Sequence, residues 1–181
     1  MIHAANLITI SRIFLILPVL LLVSEEKNFS NWLALILFVL AGITDHLDGY
    51  IARKTGTVSP LGALLDLAAD KLLVVIVISY LVSFTTNKYL AIPAMIIIFR
   101  ELVISAFRQI LTERKGTNPI QVSLIAKSKT TLQIIALSFL IISPNFEDNF
   151  YALTVLLFYL AAIASLYSLY GYIKNYKNYI K

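Results

Sequence analysis

Six apolar stretches follow one another along the chain: Leu7–Val23, Trp32–Ala52, Leu61–Phe84, Tyr89–Leu111, Val122–Ser143 and Phe150–Tyr170. Each is close to the ~20 residues that a helix needs to cross a bilayer. Lipid cannot satisfy free backbone groups, so spans of this kind must be helical. The breaks carry turn chemistry: Lys54-Thr55-Gly56, Ser59-Pro60, Lys115-Gly116-Thr117-Asn118-Pro119 and Ser143-Pro144-Asn145. A soluble domain has about a quarter of its residues charged. Here 14% are charged and 59% hydrophobic, more apolar surface than a water-soluble fold can hide. The sequence therefore predicts an all-α integral membrane protein with six transmembrane helices, built as a single domain over residues 1–181. No internal repeat or low-complexity tract interrupts it.

The run Ile13–Val23 has the length of a signal-peptide core. Only Arg12 precedes it and Ser24-Glu25-Glu26 follows, without a small-residue cleavage site, so it reads as a retained first span. Orientation follows from the loops. Arg12, Arg53, Lys54, Arg114, Lys115, Lys174, Lys177 and Lys181 fall on one side. The other side holds Lys27 and Lys88 with the acidic Glu25, Glu26, Glu147 and Asp148. The positive-inside rule then places both termini in the cytoplasm, with the loops after spans 2 and 4. The net charge of +5 is scattered between apolar runs and forms no basic stripe, so nucleic acid is not an expected partner. Without cysteine, disulfides, thiolate metal sites and a cysteine nucleophile are excluded. Tyr167, Tyr170, Tyr172, Tyr176 and Tyr179 read as an interfacial aromatic belt.

Charges inside the spans point to the chemistry. Asp45 and Asp48 lie near the end of span 2, and Asp66, Asp70 and Lys71 near the start of span 3. Arg100, Glu101 and Arg108 occupy the later half of span 4, and Lys127 and Lys129 begin span 5. Because the spans alternate in direction, all fall in the cytoplasmic half. Each charge at bilayer depth costs about 2.5–3.5 kcal/mol, so their concentration at one end implies a shared polar cavity open to the cytoplasm.

Asp45 and Asp48 are three residues apart, Asp66 and Asp70 four, so on helices each pair shares a face. A short connection makes spans 2 and 3 expected antiparallel neighbours, and the four carboxylates can then converge. Converging negative charges require cations between them. Oxygen ligands without His or Cys suit magnesium, manganese or calcium, and two bridged divalent ions form a clamp for phosphoryl transfer. Gly49 and Gly62 leave room beside this cluster, and Arg53 offers a bidentate partner for phosphate. His46 reads as a packing residue, Lys71 as an offset to the acids, and Glu101 as the ion-pair partner of Arg100 or Arg108.

The pattern Asp45-x2-Asp48-Gly49-x2-Ala52-Arg53-x8-Gly62-x3-Asp66-x3-Asp70 resembles the signature of the CDP-alcohol phosphotransferase family. The resemblance implies that Asp45, Asp48, Asp66 and Asp70 hold two Mg2+ ions, with Mn2+ as a substitute, and that Asp70 also serves as general base. It implies that Asp48, Gly49, Arg53, Ser59 and Gly62 hold the CDP moiety, joined at the lipid head by Asn6, Thr9 and Arg12. It further implies a homodimer in the inner (cytoplasmic) membrane, with its active site facing the cytoplasm.

Asn6-x2-Thr9-x2-Arg12, Phe99-Arg100-Glu101-x6-Arg108 and Lys127-Ser128-Lys129-Thr130-x2-Gln133 resemble the bacterial branch whose substrates are CDP-diacylglycerol and glycerol 3-phosphate. There Arg100, Arg108, Lys127 and Lys129 would form the pocket for the acceptor phosphate. Leu67 replaces a usual proline, Ala126 a usual glycine and His46 a usual aromatic or apolar residue; none removes a functional group. The alternatives within the family are phosphatidylglycerol, as in cardiolipin synthesis, or inositol phosphate as acceptor. The alternative of another class is a membrane ion carrier, since buried acids and bases also mark ion paths.

Overall fold

The computed structural model describes the backbone of residues 4–55, 60–85, 87–115 and 124–180, and the side chains of 14–43, 71–85, 87–107 and 130–174. Among them are six α-helices and no strand: α1 (Ala4–Ser24), α2 (Asn28–Thr55), α3 (Pro60–Ser83), α4 (Lys88–Lys115), α5 (Leu124–Ile142) and α6 (Asp148–Ile180). A 3-10 turn, Ser143–Asn145, leads from α5 towards α6. The helices match the six apolar runs in number and order. Two segments, Lys88–Phe107 and Asp148–Lys174, are long and apolar enough to cross a membrane; the other apolar helical stretches among the described residues are shorter.

The helices outrun the apolar stretches because helix formation does not stop where apolar residues do. α2 takes in Asn28 and Thr55, and α6 continues to Ile180 through the Tyr and Lys positions of the C-terminal segment. Pro18 and Pro93 both sit inside helices. A proline there removes one backbone hydrogen bond, a loss that neighbouring helices compensate in apolar bundles. Pro60 opens α3, where its missing N–H has no helical partner to lose.

α1 packs against α2 and α3, α5 packs against α2, α3 and α6, and α4 packs against α3 and α6. Among the described residues, the expected direct pairing of α2 with α3 is not among the principal packings; α1 lies against both. A connection of four residues brings two helix ends together, but does not require the helices to lie side by side along their length. Phe38, Ile78, Leu90, Ile97, Leu137, Ile141 and Phe158 fill the centre of the bundle. At the end where α2, α4 and α6 begin, Phe146 stands edge-on to Trp32 at 6.3 Å and stacks on Phe150 at 4.4 Å. Asn31 Nδ2 donates to Asn145 Oδ1 at 2.7 Å, and Asn145 Nδ2 to the carbonyl of Asn28 at 3.1 Å. Directional contacts thus fasten the 3-10 turn to the start of α2.

Many large apolar residues face outward. On α6 the buried face carries Phe158 and Tyr172 among mostly small or weakly polar residues, Thr154, Ala161, Ala162, Ser165 and Ser168, while Leu153, Leu156, Leu160, Ile163, Tyr167 and Tyr170 face outward. Small residues let helix backbones approach closely when lipid removes any hydrophobic gain from burying large ones. Replacing Ala161 by leucine is accordingly expected to destabilise the bundle by about 1–3 kcal/mol. The same methylenes removed outside, by Leu160→Ala, should have a smaller effect. Thermal midpoints of the detergent-purified variants check the contrast.

Candidate active site

Near the middle of the bundle, three helices meet at one carboxylate and a fourth is tied to it through an arginine. Arg100 and Glu101 on α4 are 4% and 2% exposed. Glu101 Oε2 receives Lys71 Nζ of α3 at 2.6 Å. Glu101 Oε1 receives Arg100 Nη1 at 3.0 Å and Gln133 Nε2 of α5 at 3.3 Å. Arg100 Nη2 in turn donates to Ser168 Oγ of α6 at 2.7 Å. Glu101 is therefore satisfied by two cations and an amide, as a buried charge must be. Ser105 Oγ, a turn further on, donates to the Glu101 carbonyl at 2.9 Å.

The anticipated pairing of Glu101 with an arginine is present, with Arg100 as partner. The neighbouring positions of a helix do not normally face each other, and the length of the arginine side chain makes the contact. Lys71, expected to offset the aspartate cluster, pairs with Glu101 among the described residues; the aspartate side chains lie outside them. Arg100 was placed among the acceptor-phosphate residues, and its guanidinium here engages Glu101 and Ser168. Ser168 was missed altogether, since a single serine in an apolar run has no periodic signal.

The backbone places Asp45, Asp48, Gly49 and Arg53 in the second half of α2 and Gly62, Asp66 and Asp70 in the first half of α3. Asn6, Thr9 and Arg12 are on α1, Arg108 on α4, and Lys127 and Lys129 on α5. The side chains of all these residues, and Ser59 entirely, lie outside the described residues. Alternating helix direction sets the α2 and α3 positions at the end of the bundle away from the Asn31–Asn145 clasp. Among the described residues no group of three His, Cys, Asp or Glu is placed to hold a metal. The four aspartates, two on each of two helices, would offer only oxygen donors, a chemistry that fits divalent cations of the magnesium class.

Comparison with known proteins bears on what this end of the bundle does. The model of the CDP-alcohol phosphatidyltransferase family matches residues 2–167. A Rickettsia bellii (strain RML369-C) protein named CDP-diacylglycerol--glycerol-3-phosphate 3-phosphatidyltransferase is 38% identical over 176 residues, covering 96% of this chain and 95% of its own. Proteins of the same name from Shigella flexneri serotype 5b (strain 8401) and Escherichia coli (strain K12) are each 34% identical over 168 residues, with 93% of this chain and 91% of theirs covered.

Proposed function

The chain belongs to the CDP-alcohol phosphatidyltransferase family, and from that premise we propose that it transfers a phosphatidyl group from CDP-diacylglycerol to glycerol 3-phosphate, a step of phospholipid biosynthesis. The observation that carries this reading is the nearly end-to-end similarity to relatives named for that activity, at 34–38% identity.

In this reading Asp45, Asp48, Asp66 and Asp70 hold two Mg2+ ions, which when bound neutralise the pyrophosphate and the departing CMP. Gly49, Arg53, Ser59 and Gly62, with Asp48, receive the CDP moiety, and Asn6, Thr9 and Arg12 receive the lipid head. Arg108, Lys127 and Lys129 bind the acceptor phosphate, with Arg100 adding positive charge from its place beside Glu101. Asp70 takes the proton of the acceptor hydroxyl as its oxygen attacks the β-phosphorus. The new P–O bond replaces the bond to CMP, which leaves with the electron pair. Positioning and charge stabilisation supply most of the rate, and no covalent enzyme intermediate is needed. Six spans, both termini in the cytoplasm, a site opening to the inner face of the cytoplasmic membrane and a homodimer complete the proposal. The outward-facing leucines of α6 and the buried charges at mid-bundle support the membrane setting.

The test is CMP release by purified protein in detergent with CDP-diacylglycerol, across glycerol 3-phosphate, inositol 1-phosphate, inositol, serine and phosphatidylglycerol. Release is expected with glycerol 3-phosphate alone, to be lost in EDTA and restored by Mg2+. Release with a different acceptor would overturn the substrate but keep the family chemistry. Ion flux in liposomes without lipid turnover would instead mark a carrier.

A further inference from the structure

Lys71 follows Asp70 directly on α3, and its ammonium is held 2.6 Å from Glu101 of α4. Beyond Lys71, Leu73, Val74, Val77 and Ile78 of α3 are buried in the apolar bundle core. Apolar packing is non-directional, so it leaves the rotation of α3 about its own axis weakly determined. A short charge-assisted hydrogen bond is directional, and this one is mostly shielded from water, the Lys71 and Glu101 side chains being 21% and 3% exposed. Successive residues of a helix are set at about 100° to one another, so fixing Lys71 also fixes the angular setting of the turn that carries Asp70. Glu101 is itself held in place by Arg100 and Gln133, and Arg100 by Ser168. The anchor for α3 is thereby referred to α4, α5 and α6 together.

We infer that Glu101, acting through Lys71, is a positioning residue: it sets the rotation of the α3 turn bearing Asp70 and so aligns the base with the acceptor hydroxyl. The inference rests on the reading of Asp70 as that base. Misplacement of a reacting group by about 1 Å can reduce turnover 100-fold, so the alignment has kinetic weight.

The experiment uses the full-length protein and the variants Lys71→Met, Lys71→Arg, Glu101→Gln and the double variant Lys71→Met/Glu101→Gln. Lys71→Met leaves Glu101 its contacts with Arg100 and Gln133, so it is the variant chosen to stay folded. Its kcat is expected to fall about tenfold or more, with KM for both substrates nearly unchanged. Lys71→Arg, which keeps the charge and the reach, should restore most of the rate. The double variant should be no worse than the poorer single one, because both changes break one tie. A readout independent of turnover is amide hydrogen exchange in α3 around residue 70, expected to quicken in Lys71→Met and Glu101→Gln but not in Lys71→Arg.

Strictly additive losses would overturn the inference, since Lys71 would then act without Glu101. So would a raised KM for glycerol 3-phosphate with kcat intact, or a lowered thermal midpoint with kcat and exchange unchanged. If the wild-type protein releases no CMP with any acceptor, the proposed function fails, and the exchange measurement alone decides whether the tie orders α3.

Discussion

Changing Asp70 to asparagine is expected to remove turnover by a factor of roughly 10²–10⁴, the range supplied by a positioned general base. The amide keeps the size of the carboxyl and loses its capacity to accept the proton of the attacking alcohol. In the proposed site Asp45, Asp48 and Asp66 would remain as cation ligands, so CDP-diacylglycerol should still bind with affinity close to that of the unaltered protein. Steady-state CMP release together with equilibrium binding of the CDP-lipid separates the two effects. Turnover near the wild-type rate in the asparagine variant would remove Asp70 from its role as base. Loss of lipid binding in parallel would make it a ligand first.

The second large effect concerns stability. Glu101→Ala leaves the buried Arg100 and the partly buried Lys71 without the carboxylate that they share. Breaking a buried ion pair by removing one partner destabilises by about 3–5 kcal/mol. The expected result is a strongly lowered thermal midpoint and a poor yield of monodisperse protein. Replacing Lys71, Glu101 and Arg100 together by apolar residues of similar volume should recover much of that stability, because desolvation of the charges offsets most of their attraction. If the single alanine variant melted like wild type, water or another group would have to satisfy the two cations.

The helices were legible because apolar runs of near-membrane length, broken by Gly, Pro and Asn, admit few other folds. Their limits were less so. The hydrophobic pattern marks where lipid contact ends, whereas α2 and α6 remain hydrogen-bonded beyond Trp32–Ala52 and Phe150–Tyr170. The spacing of the aspartates, three and four residues apart in apolar runs, was visible in the sequence, and what they hold belongs to the proposed function. The Arg100–Glu101 pair was readable because opposite charges in an apolar run must find each other. The link from Lys71 to Glu101 was not, nor was the one from Arg100 to Ser168. Both depend on which helices touch and at what height, and local sequence carries no record of it. The same applies to α1, whose insertion against both α2 and α3 could not be inferred from the short connection between those two helices.

The length of α6 sets a scale for the whole molecule. Its 33 residues at 1.5 Å each measure about 50 Å, against roughly 30 Å of hydrocarbon in a bilayer. Tilt shortens the excess without removing it. In a membrane the last turns of α6 would therefore stand clear of the acyl chains as a short mast, carrying the exposed Lys174 to the level of the phosphate groups. Anionic headgroups gathered around such a mast would raise the local density of the very class of lipid that the reaction supplies.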